Sequence, residues 1–126
     1  MLLRSLPVFL LLASAAPEAS AATFRCQTKG FCTNSVSCKP DDAVLTARTL
    51  PGGRMQFGWE ENDTRFVGDP IRKQNITVYV STQANDRSVQ TFTLANNMQA
   101  TMSVMSYFQD QLYHSIQSLT CVETSK

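Results

Sequence analysis

Polar and apolar side chains alternate along short stretches between residues 43 and 122, and turn-forming residues separate these stretches. In Arg54–Trp59, for example, Met55, Phe57 and Trp59 fall on one face of an extended chain. Alternation with period two is typical of a strand that is buried on one side only. Pro51-Gly52-Gly53 is expected to form a tight turn, and Asn96-Asn97 fits a turn that requires positive φ.

About eight such stretches are present when the first is taken as Thr23–Thr28. Their spacing predicts an all-β fold: a single antiparallel barrel or sandwich of about eight strands. A short strand at Thr64–Val67 is expected to end in a turn at Gly68-Asp69-Pro70. The side chains expected inside are Met55, Phe57, Trp59, Ile76, Val78, Val80, Phe92, Leu94, Met102 and Val104.

The segment 105–116 also fits an amphipathic helix, because apolar residues recur there at spacings of three and four: Met105, Phe108, Leu112 and Ile116. Asp110 can instead mark a turn between two strands, and we favour strands. The alternation in 111–122 is imperfect. Tyr113, Leu119 and Cys121 fall on one face, whereas Leu112 and Ile116 fall on the other.

Residues 1–21 have the features of a secretory signal peptide. Arg4 precedes an apolar run over 6–13, and Ala19-Ser20-Ala21 provides small residues for cleavage. The run is roughly half the length of about 20 residues that a membrane-spanning helix needs. We therefore expect a periplasmic or secreted protein with no membrane span, in which residues 22–126 form one β-barrel-like domain.

The four cysteines all lie after this leader: Cys26, Cys32, Cys38 and Cys121. An even number of cysteines in an exported protein predicts two disulfide bonds, for which three pairings exist. We favour Cys32–Cys38, because flexible loop residues separate the two, and consequently Cys26–Cys121, which would join the first strand to the last. The cysteine spacing does not match a thiolate metal site, and we expect no cofactor.

The charges nearly balance, with 11 Lys and Arg against 10 Asp and Glu. A nucleic acid partner is therefore not expected. The sequence lacks phosphate-binding, nucleophile-elbow and zinc-protease motifs. His114 is the one imidazole that could serve as a general base. We therefore expect a protein that is not an enzyme.

Basic residues that border predicted turns form the densest cationic group of the chain: Arg65, Arg72, Lys73 and Arg87. If they collect at one end of the barrel, they can bind an anionic partner. The expected partner is an exported or envelope protein or another anionic macromolecule, and the protein itself is expected to be a monomer.

Phe24-Arg25-Cys26 near the start of the mature chain and Thr120-Cys121 near its end resemble the frame of small exported proteobacterial proteins, including the lysozyme-inhibitor type. The resemblance implies a small antiparallel barrel. In those inhibitors a Ser-Gly loop enters the lysozyme cleft, but this sequence has no Ser-Gly dipeptide, so no inhibitor residue carries over. With the added Cys32 and Cys38, the chain is more similar to exported alphaproteobacterial proteins whose function is uncharacterised.

Three functional hypotheses follow. The first is a non-enzymatic periplasmic binding or inhibitor module that acts through loops on a rigid, disulfide-closed barrel. The second is a lipocalin-like carrier of a small apolar ligand, since an eight-stranded barrel can hold one if its interior is incompletely filled. The third, which we rank last, is a hydrolase that depends on His114.

Overall fold

The computed structural model describes residues 21–33, 37–39, 42–81 and 88–124, and within them the chain is all-β. A single 3₁₀ turn interrupts the strands at Pro51–Gly53. The strands are β1 (Thr23–Thr33), β2 (Ser37–Lys39), β3 (Val44–Thr49), β4 (Met55–Trp59), β5 (Phe66–Arg72), β6 (Ile76–Ser81), β7 (Ser88–Ala95), β8 (Gln99–Phe108) and β9 (Gln111–Glu123).

Every strand pairs antiparallel with its neighbours, and β1 also pairs with β9. This last pairing closes eight strands into a barrel, while the short β2 lies beside the end of β1 that extends past β3. The barrel expected from the sequence is therefore confirmed. The strands expected in place of a helix over 105–116 are also confirmed, because this segment forms the turn end of the β8–β9 hairpin.

The seam between β1 and β9 is held by a disulfide bond between Cys26 and Cys121. The two residues face each other directly in the strand register, with Cα atoms 3.9 Å apart, so the predicted bond between the first and last strands is confirmed. Cys32 is also disulfide-bonded, and its backbone lies opposite that of Cys38 in the β1–β2 pairing. The side chain of Cys38, like residues 1–20 of the leader, lies outside the described residues.

Large side chains fill the barrel interior. The largest that are completely buried are Phe57, Phe92, Leu45, Met55, Met102, Leu119 and Cys26. The ring centroids of Phe57 and Phe92 lie 5.6 Å apart, and those of Tyr79 and Phe92 lie 6.2 Å apart. Such spacing is favourable for aromatic pairs. Of the other predicted core residues, Trp59, Leu94 and Val104 are partly buried against this cluster.

The inner face of β6 is the opposite of the one expected. Tyr79 and Ser81 are buried, whereas Ile76, Val78 and Val80 face outward. A Cβ atom on Gly68, across the sheet in β5, would lie only 2.7 Å from the Cβ of Tyr79. Because Gly68 has no side chain, Tyr79 has room to face the core. Alternation along β6 then directs the β-branched residues Ile76, Val78 and Val80 outward.

Two predicted turns also differ. Gly68-Asp69-Pro70 lies within β5 rather than in a turn. Pro70 pairs with β6, but it lies beyond the last residue of β5 that pairs with β4. On the β4 side, therefore, no strand needs the N–H that proline lacks. After β7, positive φ falls on Met98 rather than on the two asparagines. The Met98 amide donates to the Ala95 carbonyl at 3.0 Å, as in a three-residue hairpin loop whose last residue is left-handed.

Candidate functional site

The cationic residues singled out in the sequence do not form one cluster. Arg65 immediately precedes β5 and Arg72 ends it, so their backbones are separated by the length of a seven-residue strand, roughly 20 Å. Lys73 follows Arg72 in the turn to β6. Arg87 lies outside the described residues. We call the end of the barrel near Arg65 the tip end, and the end near Arg72 the far end.

Arg72 has a local role at the far end. A Cβ atom on Gly53 would lie 2.6 Å from its Nη2, so the guanidinium packs over the turn at Pro51–Gly53. Its charge also acts on Tyr79: burial raises the pKa of this phenol, and the Arg72 cation and a hydrogen bond with Thr77 oppose that rise. Arg72 therefore packs against the wall of the barrel at the far end.

The β8–β9 hairpin turns at the tip end. Among the described residues, pairing of β8 with β7 reaches Ser106 and pairing of β9 with β1 reaches Ser115, and the segments that follow on the neighbouring strands, 82–87 and 34–36, lie outside the described residues. From these positions the two strands pair with each other up to a two-residue turn at Gln109 and Asp110. Both turn residues have positive φ, the conformation of the tightest hairpin turns. We call residues 107–113 the hairpin tip.

Apolar side chains occupy both faces of the hairpin tip. Tyr107 and Leu112 are opposite each other on the outer face, and Leu112 is 67% exposed. Phe108 and Tyr113 lie on the inner face, and Phe108 is 50% exposed. The outer apolar surface continues along the neighbouring strands through Val89, Met105 and Ile116. A contiguous exposed apolar surface on a soluble domain marks a site of interaction.

The two tyrosines of the hairpin tip are held in place by hydrogen bonds. The Tyr107 hydroxyl donates to Asp110 at 3.2 Å, and the Tyr113 hydroxyl donates to Gln111 at 2.6 Å. A side chain that is already fixed loses less conformational entropy when a partner covers it. The rings are thus arranged for contact in the free protein.

His114 lies just behind the hairpin tip. It borders a shallow depression of about 160 Å³ that is also lined by Thr33, Val104, Ser106, Tyr113 and Ser115. The described residues of this lining contribute hydroxyl groups from Thr33, Ser106, Tyr113 and Ser115. In the described part of the chain, no group of three or more His, Cys, Asp and Glu residues is arranged to hold a metal ion.

Searches of protein-family models, of curated proteins and of solved structures found no match to this chain. None of the described helical segments is long and apolar enough to cross a membrane. The sequence contains one signal of the hairpin tip: apolar residues fall on both faces of 111–122, which breaks the alternation expected of a strand on a core.

Proposed function

We propose that this protein is an exported, non-enzymatic binding or inhibitor module that contacts a partner protein with its hairpin tip. The observation that carries the proposal is the presence of exposed apolar side chains on both faces of the β8–β9 hairpin near its turn. A strand that packs on a core needs only one apolar face. The apolar residues of the second, outer face do not pack into the barrel core, and contact with a partner explains them.

The shape and composition of the hairpin tip fit insertion into a concave protein surface. A partner that covers both faces of the hairpin tip must surround it. Aromatic residues and Met are enriched at the centres of protein interfaces, and charged residues are depleted there. Within residues 105–116 the one carboxylate is Asp110, and the Tyr107 hydroxyl already binds it.

Three features of the chain support the rest of the proposal. The signal-peptide pattern of residues 1–21 and the disulfide bonds favour the periplasm or the cell exterior. The filled interior, with Phe57, Phe92 and Met102 completely buried, does not favour the carrier hypothesis. The sequence has none of the nucleophile-elbow or zinc-protease motifs that would support the hydrolase hypothesis.

The proposal is tested by capturing partner proteins from periplasmic extract and from the secretions of host or competitor cells, using two matched variants. Leu112→Ser changes the hairpin tip. Val122→Ser changes a residue of the same strand that is 57% exposed at the far end. We expect L112S to weaken capture of one partner at least tenfold, since truncation of a central apolar anchor often costs 2 kcal/mol or more, and V122S to leave it unchanged.

Two further arms separate this proposal from its alternatives. Equal loss of capture in both variants would contradict a specific role of the hairpin tip. Binding of the wild-type protein to phospholipid vesicles, lost in L112S, would show that the tip inserts into lipid instead. If a hydrolytic activity is detected, His114→Ala tests whether it depends on the imidazole.

A further inference from the structure

A depression of about 190 Å³ on the outer wall of β3 and β4 brings two arginines together. Its lining includes Arg48, Arg65, Gln56, Thr46 and Thr23. We call it the arginine depression. In the strand order, β3 and β4 do not neighbour β8 or β9. The inference drawn from the arginine depression therefore does not depend on the proposed function of the hairpin tip.

Gly58 makes room for Arg65 in this wall. A Cβ atom at Gly58 would lie 2.4 Å from the Thr64 carbonyl oxygen and 2.8 Å from Nη1 of Arg65. Nη1 donates to three carbonyl groups, those of Asn62 at 2.8 Å, Thr64 at 3.0 Å and Trp59 at 3.2 Å. These bonds fix the guanidinium against the barrel before any ligand binds.

The same bonds leave the Nε–Nη2 edge of the Arg65 guanidinium available for a ligand. All three use Nη1, and within the described part of the chain Nε and Nη2 have no protein acceptor. Nε–H and one Nη2–H point in the same direction, so together they form the fork that binds two oxygens of one anion. Arg65 is thus a preorganised oxyanion donor.

Arg48 adds a second positive charge without a carboxylate to balance it. Its Nη2 makes one long bond, 3.4 Å, to Oε1 of Gln56. The ion pairs among the described residues join other groups, Arg25 to Glu60 and Arg54 to Asp69. Two like charges beside one depression repel each other, and an anion between them removes that repulsion.

From this arrangement we propose that the arginine depression binds a tetrahedral oxyanion, a phosphate or sulfate group. A dianion matches the charge of the two guanidinium groups, and a tetrahedral group offers oxygens in several directions. The Thr46 hydroxyl and the Gln56 amide supply further donors at the rim. The turn after β4 contains three acidic residues, Glu60, Glu61 and Asp63. The Glu60 carboxylate already forms an ion pair with Arg25.

The test is an NMR titration of the full mature protein with inorganic phosphate and with inorganic sulfate, each against sodium chloride at equal ionic strength. We expect saturable shifts of the Thr46 and Gly58 amides with phosphate or sulfate and none with chloride. A parallel titration with glycerol phosphate distinguishes a free anion from an esterified group. Shifts that grow linearly, or that chloride reproduces, would overturn the proposal.

The matched variants are Arg48→Gln and Arg54→Gln. R48Q removes one charge of the depression at an exposed position, and R54Q removes one from a neighbouring ion pair outside its lining. We expect R48Q to raise the dissociation constant about tenfold or more and R54Q to change it less than twofold. Thr46→Val, which keeps the side-chain shape, should weaken binding about twofold to fivefold. If R48Q and R54Q raise the dissociation constant equally, the anion is attracted by the overall charge of the protein and not bound in the depression, which contradicts the proposal.

Discussion

The two walls of the barrel share one architecture but differ in charge. The wall formed by β1, β3, β4 and β5 carries Arg25, Lys29, Arg48, Asp69 and Arg72 on its strands. By contrast, β6 to β9 contain no Asp, Glu, Lys or Arg before Glu123, the last residue of β9. Threonine, serine and exposed apolar residues occupy the outer positions instead.

This difference separates what the fold requires from what it leaves free. Both walls need an apolar inner face, and both have one. Charges on the outer face of strands keep a β-protein soluble and discourage association. Their absence from β6–β9, together with the apolar hairpin tip, is therefore not a requirement of the barrel. It is the feature that the proposed function explains.

The largest expected effect comes from opening the seam where the two walls meet. Replacing Cys26 and Cys121 together with Ala removes a bond between residues that are 95 apart in the sequence. We expect the free energy of unfolding to fall by about 4 to 5 kcal/mol, because the bond restricts a long loop in the unfolded chain. Urea denaturation followed by circular dichroism measures the change. Replacing Cys32 and Cys38 is the control, for which we expect roughly half that loss.

The next effect tests which face of β6 is inside. Tyr79→Ala removes a buried ring that stacks on Phe92, and we expect a loss of about 3 kcal/mol or more. Val78→Ala, on the adjacent outward position, should cost less than about 1 kcal/mol. Thermal unfolding of the two variants measures both values. A larger loss in V78A than in Y79A would mean that the strand faces the other way.

A smaller effect concerns stability at high pH. Burial raises the pKa of Tyr79, so the neutral phenol is favoured in the folded state. Its contribution is fully present below pH ~10, the pKa of an unfolded tyrosine, and is lost as the pH rises through the higher pKa of the folded state. Unfolding measured between pH 9 and 11.5, as a working range around that value, should therefore be less pH-dependent in Tyr79→Phe than in wild type.

The smallest effect is expected on the wall formed by β1, β3, β4 and β5, which carries the charged residues. The Arg54–Asp69 pair measures 3.2 Å, and both side chains are about half exposed to solvent. Such pairs contribute between about 0 and 1 kcal/mol, and salt weakens them further. Asp69→Asn should therefore change the melting temperature very little, and less at high salt than at low salt. A loss above about 2 kcal/mol would show that this wall depends on its charges for stability.

The sequence alone was enough to predict the architecture, but not to predict which face of every strand lies inside the barrel. Period-two alternation predicted the strands, and the cysteine positions predicted the bond across the seam. In β6, however, both faces carry residues that suit a strand, and hydrophobicity favoured Val78 over Tyr79. The deciding contact is with Gly68, which is distant in sequence. No local pattern contains that information.

The candidate sites were harder to predict for a similar reason. Turn residues in sequence indicate where loops lie but not at which end of a barrel, so the sequence alone groups Arg65 with Arg72. The arginine depression instead joins Arg65 to Arg48 through Gly58 on the strand between them. The hairpin tip was visible only as imperfect alternation, because its second apolar face contradicts the pattern of a strand on a core.

Photo-crosslinking from the hairpin tip tests the central claim most directly. A photoreactive residue is placed at position 112, at the tip, and in a separate protein at position 122, at the other end of the same strand. Both proteins are irradiated in the same extract. We predict a discrete crosslinked protein partner from position 112 that is absent from position 122, and that excess unlabelled wild type, but not L112S, competes away. The same products from both positions, or crosslinks from position 112 to lipid alone, would contradict the account.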